Sequence, residues 1–482
     1  MILAIDQGTT GTTCLVFDAA VAVAGRAYSE FQQFFPQPGW VEHDANEIWE
    51  VTRRVAREAI ADAGIEGAEL EAIGITNQRE TVVAWDPESG EPIHRALVWQ
   101  DRRTAGRCAE LKEAGHEPLV RERTGLTIDP YFSGPKLEYL IRNVEGAERA
   151  VFGTIDSWLL FKLTGRHLTD YTNASRTLLF DIRKLGWDDE LCGILGVDPA
   201  RLPEPCPSSH LFGTTTEFGG EVPVAGVAGD QQAALFGQAC HQPGTAKNTY
   251  GTGSFVLLNS GPQPPPVTEG LLATVACGTG EEAAYALEAS IFVTGAAVQW
   301  LRDGLGIIGE AGETEALAAS LDSNEGVYFV PALTGLGSPY WDPYARGTIV
   351  GLTRGSGRAH IARAALEAIA YQTVDAVRAQ EVACGERLAS LKADGGATVN
   401  RWLMQFQADV LGVPVSVPEI AETTALGAAY LAGIATGFWS AEQVAEMWRE
   451  ADRYEPRMEA ARREELLANW KRALERSREW AR

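Results

Sequence analysis

The stretch AIDQGTTGTT, residues 4–13, is preceded by MIL and followed by CLVFDAA. Apolar residues on both sides of a Gly/Thr centre read as strand, turn, strand. Such a turn presents backbone N–H groups and hydroxyls, and Gly8 and Gly11 let the backbone come close to phosphate oxygens. No Lys follows, so the loop is not of the GxxxxGK[ST] kind. A phosphate cradle built this way leaves charge to be shared by a metal or by a second loop.

That second loop is visible near Gly244, where TAKNTYGTGSFVLLNSG is again strand, Gly/Thr turn and strand. Before it come a helical stretch from Asn46 to Ala63, with Ile48, Val51, Val55 and Ile60 on one face, and the strand-like EAIGITNQRETVVAWD. VPVAGVAGD is an apolar strand ending in Asp230, followed by the helical QQAALFGQA. After it, LASLKADGG is a strand ending in Asp394 and two glycines, then a helix and the strand VPVSVP. Each turn taken singly is ordinary. Together they predict an α/β chain of two related domains, residues 1–240 and 241–482, joined at about Gln238–Gly244. A nucleotide is expected between them, as ligands favour strand ends and domain interfaces.

The 482 residues exceed what one core holds, and 45% hydrophobic against 22% charged residues is a globular balance. A net charge of -24 opposes nucleic acid and anionic membranes as partners. It fits a solvated acidic surface or adaptation to salt. No apolar run approaches the roughly 18–20 residues of a membrane span, and no basic leader precedes the first strand, so a cytoplasmic location is expected. Seven scattered cysteines without a CxxC pair read as reduced, buried thiols. GLGIIG, Gly304–Gly309, follows a helix-like segment and reads as a turn rather than a dinucleotide loop. The segment Glu459–Trp480 reads as a helix packing Leu466, Leu467, Trp470 and Leu474 on the protein body.

PGWVEHD, GITNQRET, VWQDRRT, DPYFSGPK, DYTNASRTLLFD, GVAGDQQAALFGQ, KNTYGTGSF, YWDPYARG, DGGA and TALGAAYLAG occur in order along nearly the whole chain. With AIDQGTT they make it resemble the FGGY carbohydrate kinase family, and within it the members that phosphorylate glycerol. The resemblance implies two ribonuclease H-like domains of the actin-like ATPase fold around a central cleft, and transfer of phosphate from ATP, with Mg²⁺, to give sn-glycerol 3-phosphate. It implies that Arg79, Glu80, Trp99, Tyr131, Asp230, Gln231 and Phe255 contact glycerol, with Asp230 the catalytic base. It places nucleotide contacts on Thr9, Thr10, Gly11, Thr252, Gly295, Gln299, Gly396 and Asn400, and the metal near Asp6. A homo-oligomer, dimer or tetramer, is implied in the same way.

One physical condition follows. Neighbouring residues on a regular strand face opposite ways, so Arg79 and Glu80 can share a ligand only if the chain bends at Gln78–Glu80. The chain also departs from the family. Gly11 and Thr13 stand where relatives often have Ser and Arg, and Tyr139 where Trp is usual. EFGGEVPVAG lacks the longer basic loop that binds fructose 1,6-bisphosphate in some relatives, so no control by that sugar phosphate is expected. A kinase for another small polyol or ketose, and an actin-like nucleotide switch without a small substrate, stay open at this stage.

Overall fold

A computed structural model of the chain describes residues 1–278 and 283–481. The opening stretch forms β1 (Ile2–Gln7) and β2 (Gly11–Phe17), antiparallel from Ile2 opposite Phe17 to Gln7 opposite Thr12. β3 (Val23–Glu30) continues antiparallel beside β2. On the other side of β1 lies β4 (Ala72–Asn77), parallel to it. β5 (Ser209–Thr215) and β6 (Val222–Gly229) complete a six-stranded sheet in the order β5-β6-β4-β1-β2-β3.

The central strands are apolar on both faces, which requires cover on both. Leu3, Ile5, Cys14, Val16, Ile73 and Ile75 pack with α1 (Ala45–Asp62), through its Ile48, Val51, Val55 and Ile60. Asp44 caps that helix, its side chain accepting from the backbone N–H groups of Asn46 and Glu47.

The second half repeats the plan. β7 (Ala246–Tyr250) and β8 (Ser254–Gly261) form the hairpin, with β9 (Leu272–Ala276) and β10 (Ala284–Ile291) antiparallel beyond β8. β11 (Leu391–Asp394) and β12 (Val415–Pro418) lie parallel on the other side of β7, and β13 (Glu450–Tyr454) closes the edge. The runs β3-β2-β1-β4-β6 in the first sheet and β10-β8-β7-β11-β12 in the second share the expected ribonuclease H-like order, three strands antiparallel in turn and then two parallel to the third, with β5, β9 and β13 added at the edges.

Two helices tie the halves together. α2 (Asp230–Gly237) follows β6 directly, and α3 (Thr423–Thr436), although late in the chain, lies on the first sheet. Glycines make that approach possible: a Cβ on Gly74 would meet Ala428 O at 2.2 Å, and one on Gly226 would meet Ala432 N at 2.5 Å. The C-terminal helix, α4 (Ala460–Ser477), buries Leu466, Leu467, Trp470 and Leu474 as expected. GLGIIG follows a helical turn, Trp300–Gly304, not a strand. All seven cysteines are free, and six are buried; Cys384 is only partly so, because it ends the long helix Arg358–Cys384.

Candidate active site

β4 ends at Asn77, and the chain then leaves strand geometry, with Thr81 N–H bonded back to Arg79 O at 2.8 Å and Glu80 at φ 60°. A left-handed backbone at a Glu is strained, and it turns Arg79 and Glu80 toward one space. Both side chains are buried. Arg79 Nε lies 3.1 Å from Asp230 Oδ1, and Arg79 Nη1 lies 2.6 Å from Glu288 Oε2. Arg176 Nε lies 2.6 Å from Glu80 Oε1, and its Nη2 3.0 Å from Glu288 Oε1. The charges alternate, Asp230, Arg79, Glu288, Arg176, Glu80, so no buried guanidinium lacks a carboxylate.

Asp230 is the first residue of α2 and keeps 32% of its side chain exposed. Its Oδ1 is ion-paired with Arg79 and accepts a hydrogen bond from the Gln231 N–H at 2.6 Å. Oδ2 is left for a ligand. Beside it, the buried Lys247 donates to the side-chain carbonyl of Gln231 and, at 2.8 Å, to Thr249 Oγ1. Burial holds the Lys247 ammonium down at about 8.

Asp6 lies one residue before the end of β1. Burial and then repulsion from Asp230 push its carboxyl up to about 7. Thr76, its neighbour on β4, has a buried hydroxyl with no hydrogen-bond partner among the described residues. A divalent cation would relieve both conditions. Among the described residues no three His, Cys, Asp or Glu side chains are grouped to hold a metal. The donors present suit Mg²⁺, which takes one or two carboxylates and completes its shell with water and phosphate oxygens.

Two of the three aromatic residues named from the sequence touch each other, and the third lies against Arg79. Trp99 and Tyr131 are edge to face at 5.5 Å, and Phe255 lies under Arg79 at 5.8 Å. Trp99 also has a polar contact: its indole N–H donates to Thr9 Oγ1 at 2.9 Å and so ties this aromatic pair to the first turn.

Three turns of the second half also converge. Gly295 N–H bonds Gly251 O at 3.1 Å and Ala296 N–H bonds Thr252 O at 3.0 Å, with Gln299 exposed one helical turn further on. Gly395, at φ 89°, sits against Tyr250, so Gly396 follows directly beside the same hairpin. Asn400 caps the helix Arg401–Leu411 and bonds Thr314 at 3.3 Å. Among the described residues no hydrogen bond joins the Thr9–Gly11 turn to the Gly251–Gly253 turn.

Family models for the N-terminal and C-terminal domains of FGGY carbohydrate kinases match residues 1–237 and 246–436. The chain belongs to the FGGY family of carbohydrate kinases. This FGGY kinase is 57% identical over 491 residues to a glycerol kinase of Trichlorobacter lovleyi, with 100% of this chain and 99% of that one covered. It is 55% identical over 490 residues to glycerol kinase 2 of Thermotoga maritima, covering 99% of each. Among solved structures, Plasmodium falciparum glycerol kinase with ADP superposes at a TM-score of 0.95 with 35% identity, over 99% and 98% of the two chains.

Four buried residues linked to Arg79, Glu80 or Gln231 were not singled out from the sequence: Arg176, Glu288, Lys247, and Gln232, whose side-chain oxygen accepts from Arg79 Nη1 at 3.2 Å. Glu288 had a signal, as a lone acid inside the apolar strand YALEASI. Arg176 lies within NASR, and its Nη1 has no partner among the described residues. In the same motif Asn173, formally a glycosylation sequon, is buried, and its side chain exchanges hydrogen bonds with that of Asn77.

Proposed function

We propose that this FGGY kinase transfers the γ-phosphoryl group of ATP to a terminal hydroxyl of glycerol, giving sn-glycerol 3-phosphate. The observation that carries the proposal is the bend at Arg79–Glu80, which sets two opposite charges beside the uncommitted oxygen of Asp230. Full-length identity to glycerol kinases supports the choice of acceptor.

In this reading Arg79 and Glu80 bond the glycerol hydroxyls, while Trp99, Tyr131 and Phe255 cover its carbon side. Gln231, steadied by Lys247, adds a further polar contact. Asp230 Oδ2 accepts the proton of the attacking hydroxyl as its oxygen bonds to phosphorus and the bond to the ADP oxygen breaks. A carboxylate is a weak base toward an alcohol, yet it suffices where transfer depends on positioning and the proton leaves late. Thr9, Thr10 and Gly11 hold phosphates from one half, and Thr252, Gly295, Gln299, Gly396 and Asn400 hold the nucleotide from the other. Asp6 would hold Mg²⁺, which supplies charge neutralisation on the phosphates.

Domains at 1–240 and 241–482, moving about the joint near Gln238–Gly244, are part of the same proposal. So are a cytoplasmic location and assembly as a homodimer or homotetramer, the latter on family resemblance and measurable by light scattering. Among the described residues no helix is long and apolar enough to cross a membrane. Between β5 and β6 the chain turns tightly, with Gly219 N–H bonded to Thr216 O at 3.2 Å. The rate should therefore be unchanged by fructose 1,6-bisphosphate. ADP release measured with glycerol, with a panel of polyols and ketoses, and with no acceptor tests the whole reading. Release that is equal without an acceptor, or faster with another polyol, would sink it.

A further inference from the structure

The first turn has an unexpected neighbour. Gly11 is buried, and a Cβ there would lie 2.7 Å from Tyr28 Cε2 and 2.8 Å from Tyr28 Oη. The Tyr28 ring thus fills the space that a side chain at position 11 would take. Strand register fixes the direction in which it faces. Asp6 pairs with Thr13, and Thr13 with Tyr28, so the three side chains form one row on one face of the sheet. Arg26, two residues earlier on the same face of β3, reaches across to Glu422 of the second half at 2.6 Å. Tyr28 therefore stands on the side that confronts the second half, and it remains 52% exposed.

An aromatic ring laid over a glycine of the next strand shields backbone and restores packing. That accounts for the ring, for which Phe would serve as well. It does not account for a hydroxyl set beside the phosphate turn, in the row of Asp6. The turn contains no Lys or Arg, and Thr13 is neutral, so the phosphates need donors from elsewhere.

We propose that Tyr28 is a phosphate contact of the nucleotide, its phenol donating to an anionic oxygen of the β- or γ-phosphate held over Thr9–Gly11. The inference rests on the kinase reading above. A hydroxyl bonded to an ionised oxygen makes one of the stronger hydrogen bonds available to a neutral side chain.

The test is calorimetric titration of ATP and of AMP, with Mg²⁺ present, into the wild-type protein and Tyr28→Phe, with unfolding midpoints and the glycerol KM alongside. Phe keeps the cover over Gly11 and removes only the hydroxyl. ATP affinity is expected to fall about tenfold, the order of one hydrogen bond to a charged group. AMP affinity, midpoint and glycerol KM are expected to stay as in the wild type. Equal ATP affinity in the two proteins overturns the proposal, and so does an equal loss for ATP and AMP, which would place the contact at the nucleoside. A wild-type protein that neither binds ATP nor phosphorylates glycerol overturns the kinase reading together with it, whereas failure of Tyr28→Phe alone leaves that reading standing.

Discussion

Arg79 of the first half and Glu288 of the second lie 2.6 Å apart with neither side chain open to water. Glu288 also takes Arg176, and although burial pushes its carboxyl up, the two guanidinium groups hold it at about 2. Its removal would leave two buried cations sharing Glu80 and the half-open Asp230. Glu288→Gln should lower unfolding stability by about 3–5 kcal/mol, as expected for a broken buried pair. Arg79 would lose its support, so the glycerol KM should rise more than the ATP KM. Urea unfolding and steady-state kinetics measure both, and an unchanged urea midpoint would remove this carboxylate from the account.

Asp230→Asn keeps an oxygen for Arg79 and Gln231 but loses the base. A general base contributes about 10²–10⁴-fold. kcat should fall by that factor while glycerol binding, followed by titration, changes little. A variant that retains a tenth of normal turnover would falsify the assignment.

The parts of this site that could be read from the letters are those set by local rules. β1 and β2 show the period of two and the Gly/Thr turn, and the bend at Glu80 follows from the demand that two adjacent side chains serve one ligand. The missed parts are pairings across long separations. Nothing near Arg79 announces Glu288, 209 residues away, because an ion pair leaves no periodic trace in either segment. The seat of α3 on the first sheet is equally silent: Gly74 and Gly226 are required by a helix that begins only at Thr423. Tyr28 was hidden for another reason. The emptiness of position 11 is legible, but which side chain fills it depends on strand register.

Gly395 has φ 89°, and a Cβ there would meet Tyr250 O at 2.4 Å. The contact is with backbone and cannot rotate away. Gly395→Ala must either strain this residue, at about 1–3 kcal/mol, or push β11 from β7. Either response displaces Gly396, so the ATP KM should rise several-fold with the glycerol KM nearly constant. Kinetics with each substrate varied in turn decide the point. Equal changes in both constants would count against a nucleotide role for this turn.

His43 controls the support beneath the first turn. It is fully buried, its Nε2 2.7 Å from Gln33 Oε1 and its Nδ1 3.5 Å from Gln78 Nε2. Those two amides in turn donate to the turn itself, Gln33 Nε2 to Thr9 O at 2.9 Å and Gln78 Nε2 to Gly8 O at 3.2 Å. With Gln33 Oε1 as acceptor, the proton belongs on Nε2, and Nδ1 faces a donor; a second proton there would meet another N–H. Burial accordingly lowers the imidazole from 6.5 to about 4. Between those values the unfolded chain binds more protons than the folded one, so stability is full above about pH 6.5 and is lost as pH falls toward 4. From pH 7 to pH 5 this group alone should remove about 2 kcal/mol. His43→Gln cannot take up that proton. Its unfolding free energy should fall by about 2 kcal/mol less than the wild type's over the same range, and its ATP KM should be less sensitive to acid. Parallel stability curves for the two proteins between pH 7 and pH 5 would show that His43 is not the group that titrates.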